Sequence, residues 1–214
     1  MSLTSELTSL ELSGEEVSLR PLHSSEAPAL ARAAAESRDH YGFTRVPNGV
    51  SDAEAYVAAA LTQRDRGERI PFAIVWRDNV VGSTSYYELS AWRWPEASPL
   101  QRADVPDTVE IGHTWLCASA QRTRCNTEAK YLLLGHAFET WRVHRVSLRT
   151  DARNLRSRRA IERLGARLDG VIRADKPGSD GTVRDSAYYS IVIAEWPEVM
   201  ARLKRAMTSA AGAV

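Results

Sequence analysis

The spacing of apolar residues divides the first half of the chain into strands and helices. Residues 17–22 alternate between apolar and polar side chains and predict a strand, and residues 27–36 and 51–67 have the apolar spacing of helices. Two β-rich runs follow at 72–76 and 80–87, and the turn-forming residues between them predict a hairpin. The first half therefore predicts one strand, two helices and an antiparallel pair of strands.

Strands and helices alternate more closely in the second half of the chain. The predicted elements are a strand at 108–117, a helix from 127 to about 140, a strand at 146–149, a helix from 154 to 164, strands at about 166–174 and 184–193, and a helix at about 195–207. Asn154 has the side chain of a helix N-cap, and Gly165 lies where a helix is expected to end. The irregular segment 90–107, rich in proline and tryptophan, predicts a long structured loop.

The order of these elements predicts the fold class. It is β-α-α-β-β-β-α-β-α-β-β-α, which lacks the regular alternation of a doubly wound parallel fold. We therefore expect an α/β (α+β) domain with a mixed, mostly antiparallel sheet of six to seven strands and helices on both faces. Residues 15–208 are predicted to form this single domain, between a flexible lead at 1–14 and a flexible tail at 209–214.

Composition and charge narrow the set of possible partners. Lys and Arg total 28 and Asp and Glu total 27, so the formal net charge of +1 provides no broad field for holding a nucleic-acid backbone. No apolar run is long enough for a membrane span, and the N-terminus lacks the pattern of a secretion signal. Cys117 and Cys125 have neither CxxC spacing nor histidines placed for zinc. These observations predict a cytoplasmic protein that binds no metal, nucleic acid or membrane.

One strand-to-helix junction has the features of an anion site. Residues 110–130 run from a strand through a short polar loop into a helix N-terminus, where free backbone N–H groups and the helix dipole favour a bound anion. Arg122 and Arg124 add positive charge to the loop. Ordinary strand-to-helix turns share this pattern, so the junction alone leaves both interpretations open.

A second pair of polar residues opens the next helix. Asn154 and Ser157 are three residues apart, so their side chains share one face of the helix start and are able to hydrogen-bond a single ligand. A plain N-cap role for Asn154 and a solvent position for Ser157 are the alternatives.

Together these segments resemble the GNAT acetyltransferase superfamily, in particular the RimJ/RimL-like branch of ribosomal-protein N-terminal acetyltransferases. The resemblance spans about residues 15–195 and depends on four motifs in order. They are the strand beginning EIG, the loop QRTRCN leading into TEAKYLLLGHAFE, an N-x-x-S helix that ends in ERLGA, and a closing RDSAYYSIV. The resemblance implies a GNAT fold and transfer of an acetyl group from acetyl-CoA to an amine.

The resemblance also implies a coenzyme site. The residues that it assigns there are Trp115, Leu116, Cys117, Gln121, Arg122, Thr123, Arg124, Cys125, Asn126, Thr127, Asn154, Ser157 and Arg158, with Arg159 as a second candidate for the 3'-phosphate. The backbone N–H of Leu116 or Cys117 is the implied donor to the thioester carbonyl. The family's pyrophosphate loop, Q/R-x-x-G-x-G/A, has Arg124 and Asn126 in place of both glycines. Their side chains either obstruct the phosphate or are accommodated, with Asn126 as helix cap.

Catalytic roles follow from the same resemblance. Glu110 is the implied general base, acting through a water, with a structural ion pair as the alternative. Ser157 is the first candidate to protonate the departing thiolate, and Tyr189 is the second. Because strand residues alternate, only one of Tyr188 and Tyr189 is expected to face the site.

Aromatic residues are the candidates for acceptor binding. Those predicted to contact the acceptor are Tyr86, Tyr87, Trp92, Trp94 and His113, although most aromatic side chains in a domain are simply core. His113 is also an alternative base, because its reference pKa is near neutrality. A protein N-terminus and a small-molecule amine fit the motifs equally, and a longer acyl donor such as succinyl-CoA stays open.

The competing prediction is a non-catalytic CoA-binding or partner-binding module with a degenerate pyrophosphate loop. Arg124 favours this alternative. Glu110, Asn154 and Ser157 favour an enzyme that works by direct transfer, because a degenerate site has no reason to keep all three. The family resemblance further suggests a homodimer.

Overall fold

A single eight-stranded sheet runs through the part of the chain that the computed structural model describes, residues 9–209. Its strands are β1 (Leu12–Ser13), β2 (Val17–Pro21), β3 (Arg69–Trp76), β4 (Asn79–Ser90), β5 (Thr108–Leu116), β6 (Arg145–Asp151), β7 (Arg167–Pro177) and β8 (Val183–Val192). Their order across the sheet is β1-β2-β3-β4-β5-β6-β8-β7. β5 and β6 pair in parallel, and all other neighbours pair antiparallel. The predicted α/β class with a mixed, mostly antiparallel sheet is confirmed.

Five α-helices cover the two faces of this sheet within the described residues. They are α1 (Ala27–Ala35), α2 (Val50–Asp65), α3 (Cys125–Gly135), α4 (Leu155–Leu164) and α5 (Trp196–Ser209). On the face that we call the front, Tyr56 of α2 shares a 2.7 Å hydrogen bond with Ser83 of β4. Tyr86 points to the opposite or rear face, because side chains alternate along a strand, and its hydroxyl donates to the Leu133 carbonyl of α3.

The rear face also carries α4 and α5. Tyr189 of β8 donates a 2.9 Å hydrogen bond to Glu162 of α4, and α5 packs against both α3 and α4. The hydrophobic core fills the space between the sheet and the helices of each face. Within residues 9–209, no helix is both long and apolar enough to cross a membrane.

The strand count exceeds the prediction by one, because a short strand lies in the predicted flexible lead. Leu12 and Ser13 form β1 and pair with Leu19 and Ser18 of β2. Two residues are too few to show an alternating pattern in the sequence. Residues 1–8 of the predicted lead and residues 210–214 of the predicted tail lie outside the described residues.

Local sequence signals predict both ends of α4 but not the start of α3. The Asn154 side chain accepts a 3.0 Å hydrogen bond from the Ser157 N–H, and Gly165 ends α4 with φ +107°, as the sequence predicts. α3 begins at Cys125, two residues earlier than expected. Its N-cap residue Arg124 makes no capping hydrogen bond, and the Cys125 N–H donates instead to Thr123 Oγ1 at 3.1 Å. The expectation that Asn126 caps this helix is therefore wrong, because Asn126 lies inside the first turn.

A β-bulge interrupts β5 just after Gly112. His113 and Thr114 together oppose the single residue Thr84 of β4, and His113 adopts a left-handed φ of +50°. Beside the bulge, a Cβ on Gly82 would lie 2.0 Å from a backbone carbonyl of β5, so β4 approaches β5 this closely only with glycine there. The bulge changes which residues of β5 face front and rear beyond Gly112.

Candidate active site

A cleft of about 480 Å³ opens where β5 and β6 separate. The two strands pair only through residues 108–110 of β5 and 145–147 of β6. Beyond these residues β5 continues against β4, and β6 continues against β8, so the two halves of the sheet diverge. Residues from both faces of the sheet line the resulting gap.

The end of β5 directs one free amide into this gap. The Cys117 N–H donates to the Val81 carbonyl at 2.7 Å, which closes the ladder with β4. Since hydrogen-bonding direction alternates along an antiparallel strand, the N–H and carbonyl of Leu116 point to the other side. The Leu116 carbonyl accordingly accepts hydrogen bonds from Tyr41 (2.9 Å) and Gln121 (2.8 Å). Of the two predicted carbonyl donors, Leu116 therefore has its N–H toward the gap and Cys117 does not.

The Cys117 side chain is buried and also turns from the gap. Its Sγ lies 3.2 Å from the hydroxyl of Ser119, and burial raises the pKa of the thiol. A thiol that is harder to ionise is a poorer nucleophile. Trp115 lines the gap with part of its ring, and its indole N–H donates to Tyr56 at 3.3 Å.

The N-terminus of α3 forms one wall of the cleft. Gln121, Arg122, Thr123, Asn126 and Thr127 all line it. Arg122 takes a left-handed φ of +61°, a backbone conformation that residues other than glycine seldom adopt. Amides of the first helical turn have no partner within the helix, and together with the Arg122 guanidinium they suit a phosphate.

Arg124 lies outside this wall. Its guanidinium forms an ion pair with Glu16, with Nε 3.0 Å from Oε2, and its hydrogen bond lowers the pKa of Glu16 to about 2. Cys125 is fully buried in the core. Among residues 9–209, neither side chain lines the cleft. Both side chains therefore lie away from the predicted coenzyme site, and that of Arg124 does not obstruct the loop.

The start of α4 forms the facing wall. Asn154 and Ser157 line the cleft together with Arg156, whose guanidinium donates to the Gln121 side chain at 2.6 Å. Arg158 instead donates to the Tyr189 hydroxyl at 2.9 Å, and Arg159 is exposed outside the cleft. Neither of the arginines predicted to bind the 3'-phosphate therefore lines the cleft, whereas Arg156 does.

Tyr189 is correspondingly unavailable as the second acid. It is buried on the rear face, where its hydroxyl lies between Arg158 and Glu162 of α4. Tyr188 is the member of this pair on the front face, and its hydroxyl accepts a 2.8 Å hydrogen bond from Arg149. As predicted, the two tyrosines lie on opposite faces of the sheet, but the one on the front face is Tyr188 and not Tyr189.

Glu110 is the centre of a buried polar network on the front face. The side chain is 2% exposed, Tyr87 donates its hydroxyl proton to Oε1, and the Arg149 Nε lies 3.0 Å from the same oxygen. Burial raises the pKa of Glu110 to about 7, although the Tyr87 hydrogen bond and the Arg149 charge oppose that rise. Tyr87 lines the cleft whereas Glu110 does not, so the phenol lies between the carboxylate and the cleft.

Gly112 makes this arrangement possible. A Cβ at this position would lie 2.5 Å from Cε1 of the Tyr87 ring and 3.0 Å from its hydroxyl. The glycine of the EIG motif therefore leaves room for the phenol to reach Glu110 across β5. This is a packing reason for the spacing of Glu110 and Gly112, which lie on one face of the strand.

His113 also lines the cleft, with its ring 4.9 Å from that of Tyr87. Desolvation in the cleft and the charges of Arg69 and Arg149 lower the pKa of His113 below its usual range. The imidazole is therefore neutral at physiological pH. Its contact with the acceptor stays a prediction.

Three of the residues predicted to contact the acceptor lie away from the cleft. Tyr86 is fully buried on the rear face and donates to a carbonyl of α3. Trp92 stacks on His144 at 5.4 Å, and Trp94 donates its indole N–H to Asp107 at 3.1 Å, so both belong to the folded 90–107 loop. Within the described residues, none of the three lines the cleft.

Lys130 is a cleft residue that sequence reasoning misses. It lies on α3, is 5% exposed, and donates to the hydroxyls of Thr114 (2.6 Å) and Thr84 (3.4 Å). No carboxylate within residues 9–209 forms a salt bridge with it, and desolvation lowers its pKa to about 7. The apolar stripe predicted for this helix includes Ala129 and Leu133 but not Lys130, so the sequence gives no sign that this lysine is buried beside a cleft.

The sequence of the domain matches a known family model. Residues 16–167, most of the chain, match the model described as the Acetyltransferase (GNAT) domain. The chain belongs to the GNAT acetyltransferase family. A search among curated proteins found no match.

Solved structures agree with this GNAT assignment. A protein from T. thermophilus, provisionally described as an acetyltransferase, is 34% identical, with a TM-score of 0.73 over 92% of this chain and 96% of that one. A second provisionally described acetyltransferase is 33% identical, with a TM-score of 0.76 over 95% and 97% of the two chains. Mycobacterium smegmatis RimJ, solved in complex with CoA-disulfide, shares the fold at 22% identity, with a TM-score of 0.71 over 89% and 88%.

The cleft has the groups that a GNAT acetyltransferase needs for an acyl-CoA. The first turn of α3 with Arg122 suits the pyrophosphate, the Leu116 N–H suits the thioester carbonyl, and Asn154 suits an amide of the pantetheine arm. Among the described residues, no group of three or more His, Cys, Asp and Glu side chains is arranged to hold a metal ion.

The buried lysine predicts a specific pH dependence of stability. Between pH 7 and pH 10.5 the unfolded chain holds a proton on Lys130 that the folded chain has released, so the free energy of unfolding should rise with pH. Lys130→Met removes this contribution, and the difference in unfolding free energy between native and variant should change by at most about 1.4 kcal/mol per pH unit in that window.

Chemical denaturation at several pH values measures this difference. Lys204→Met, at an exposed lysine of α5, is the matched control and should follow the native pH dependence. Native and Lys130→Met curves that stay parallel across the window would show that Lys130 keeps its proton in the folded protein.

Proposed function

We propose that this GNAT acetyltransferase transfers an acetyl group from acetyl-CoA directly to a primary amine, either a protein N-terminus or a small molecule. One observation carries the proposal. A single cleft joins the α3 N-terminus on the rear face, the Leu116 N–H at the strand separation, and the Tyr87–Glu110 pair on the front face. Donor and acceptor therefore meet from opposite faces of the sheet.

The branch of the family, the cellular location and the oligomeric state are part of the same proposal. The motif order of the chain and its structural likeness to RimJ support a place near the ribosomal-protein N-terminal acetyltransferases. We include a cytoplasmic location and a homodimer as expectations of that branch.

The front-face network provides the base. The attacking amine must lose its proton, and Tyr87 is the cleft residue whose hydroxyl is already hydrogen-bonded to the Glu110 carboxylate. A proton from the amine passes to the Tyr87 oxygen as the phenol passes its own to Glu110. A base with a pKa of about 7 is suited to this exchange near neutral pH. Tyr87 thus takes the bridging role that the sequence interpretation assigns to a water.

The other groups act on the thioester that acetyl-CoA supplies. The Leu116 N–H donates to the carbonyl oxygen as negative charge develops there. Ser157, on the facing wall, donates a hydrogen bond to the departing thiolate and passes its proton to the sulfur as its oxygen takes a proton from solvent water in the cleft. Tyr189 has no part in this step, because its hydroxyl is held between Arg158 and Glu162 and does not line the cleft.

The alternative of a non-catalytic module loses its main support. That alternative depends on a pyrophosphate loop blocked by Arg124, yet Arg124 pairs with Glu16 away from the cleft. An acyl-cysteine route through Cys117 is likewise disfavoured, because the thiol turns from the gap and its pKa is raised by burial.

Replacing the base tests the proposed mechanism. Glu110→Gln should lower kcat by roughly 10²- to 10⁴-fold, the usual contribution of a general base, with unchanged affinity for acetyl-CoA. In the native enzyme, kcat/KM should rise with pH through an apparent pKa of about 7, because the carboxylate must be ionised to accept a proton.

Thiol release from acetyl-CoA with a panel of amines measures both quantities. The rise of kcat/KM near pH 7 should persist in Lys130→Met. This variant distinguishes titration of Glu110 from titration of Lys130, whose pKa is also about 7. A Glu110→Gln variant with near-native kcat would contradict the assignment of the base.

Removing the phenol hydroxyl tests the bridging role. Tyr87→Phe should lower kcat by about 10-fold or more, because the proton path to Glu110 is broken. The Tyr87 hydrogen bond lowers the pKa of Glu110, so its loss should also move the rise of kcat/KM to higher pH.

The matched control is Tyr188→Phe, which removes a neighbouring phenol that contacts Arg149 but not Glu110. Its pH profile should resemble the native one. Native kcat together with an unshifted profile in Tyr87→Phe would rule out the bridging role.

A further inference from the structure

The front-face end of the cleft is lined by basic side chains. Arg149, Lys176 and Arg184 line it together with the neutral His113. Arg149 shares the front face with Glu110 and Tyr188, and Arg184 is four residues before Tyr188 on β8, so it points the same way. Lys176 of β7 pairs with Arg184, and paired residues share a face.

These three cations differ in how far they are neutralised. Arg149 forms ion pairs with both Glu110 and Glu88. Lys176 has only a long contact, 3.7 Å from Asp175. Arg184 donates to a serine hydroxyl of its own strand at 2.8 Å, and within residues 9–209 no carboxylate lies within salt-bridge distance of it.

No carboxylate balances this charge from the cleft wall. Among the described residues that line the cleft, none is Asp or Glu, because Glu110 lies hidden behind the Tyr87 phenol. An acceptor with a second positive charge would meet Lys176 and Arg184, neither of which has a close ion pair, and like charges at close range are repulsive. An acceptor with a negative charge would gain charge-assisted hydrogen bonds from the same groups.

The basic end is distinct from the phosphate-binding end. The first turn of α3 and the start of α4 lie on the rear-face side, where Arg122 and Arg156 border the cleft. Lys176 and Arg184 lie across the sheet, next to Arg149 of the proposed base network. Positive charge beside the acceptor also favours its neutral amine over its ammonium form, and the neutral amine is the nucleophile.

We propose that the acceptor is an amine that carries a carboxylate near its amino group, held by Lys176 and Arg184. This inference rests on the proposed acetyl transfer and narrows its substrate class. Such an acceptor is either a free amino acid or a peptide N-terminus with an acidic residue beside it. The two sources share the same chemistry at this end of the cleft.

Two sets of matched amines test the charge preference. The small-molecule set is β-alanine, β-alaninamide and propanediamine, which carry an anion, a neutral amide and a second cation. The peptide set has serine first and Glu, Gln or Lys second. We expect the highest kcat/KM for the anionic member of at least one set. The set whose anionic member has the higher kcat/KM shows whether the acceptor is a free amino acid or a peptide N-terminus.

Charge variants then locate the preference. Replacing both residues, Lys176→Gln with Arg184→Gln, should raise KM for the anionic acceptor by about 10-fold or more, equivalent to about 1.4 kcal/mol, and leave KM for the neutral amide and for acetyl-CoA unchanged. Arg184→Glu should move the preference toward the diamine or lysine peptide. Arg173→Gln, at an exposed arginine of β7, is the control and should behave as native.

Each remaining outcome counts against the inference in a distinguishable way. A native preference for neutral or cationic amines would overturn the acidic acceptor but leave acetyl transfer intact. A double variant with weakened acetyl-CoA binding would assign the two cations to the coenzyme. If no amine of any charge is acetylated while acetyl-CoA binds, the proposed function fails, and the inference fails with it.

Discussion

The early separation of β5 from β6 is the constraint on which the rest of the site depends. In a continuous ladder the Leu116 N–H would be paired, and no gap would connect the two faces of the sheet. Because pairing ends at Glu110, one backbone donor is left free, the α3 N-terminus borders the same space, and the front-face residues meet it from the other side. The bulge at His113 is part of the same departure from a regular strand.

On the front face of the sheet, burial changes the pKa of the polar groups that form the proposed base. Glu110, Tyr87 and Arg149 contact one another on the front face of the sheet, and Tyr188 extends this network through its hydrogen bond with Arg149. Buried charges of this kind are costly unless they are paired, so the arrangement is a weak source of stability. The network holds the Glu110 carboxylate, whose pKa is near neutrality, behind the Tyr87 phenol that lines the cleft. Deprotonation of an amine near neutral pH requires a base with such a pKa.

Local signals predict most of the fold and part of the site. Apolar periodicity places nearly every helix and strand, and the cap at Asn154 needs only neighbouring residues. The choice between Tyr188 and Tyr189 depends on strand pairing, which periodicity alone does not fix. Arg124 is satisfied by a residue more than a hundred positions away, so its position had no local signal. Lys130 lies beside the apolar stripe of its helix and not in it, and only the tertiary structure shows that it is buried next to a cleft.

The central claim is that the gap between β5 and β6 is a coenzyme site in working order. Calorimetric titration with acetyl-CoA, on the native protein and on Arg124→Gly, tests this most directly. We expect micromolar affinity in both proteins, because Arg124 pairs with Glu16 outside the cleft. No detectable binding by the native protein, with binding restored in Arg124→Gly, would contradict it and show that the loop side chain closes the site.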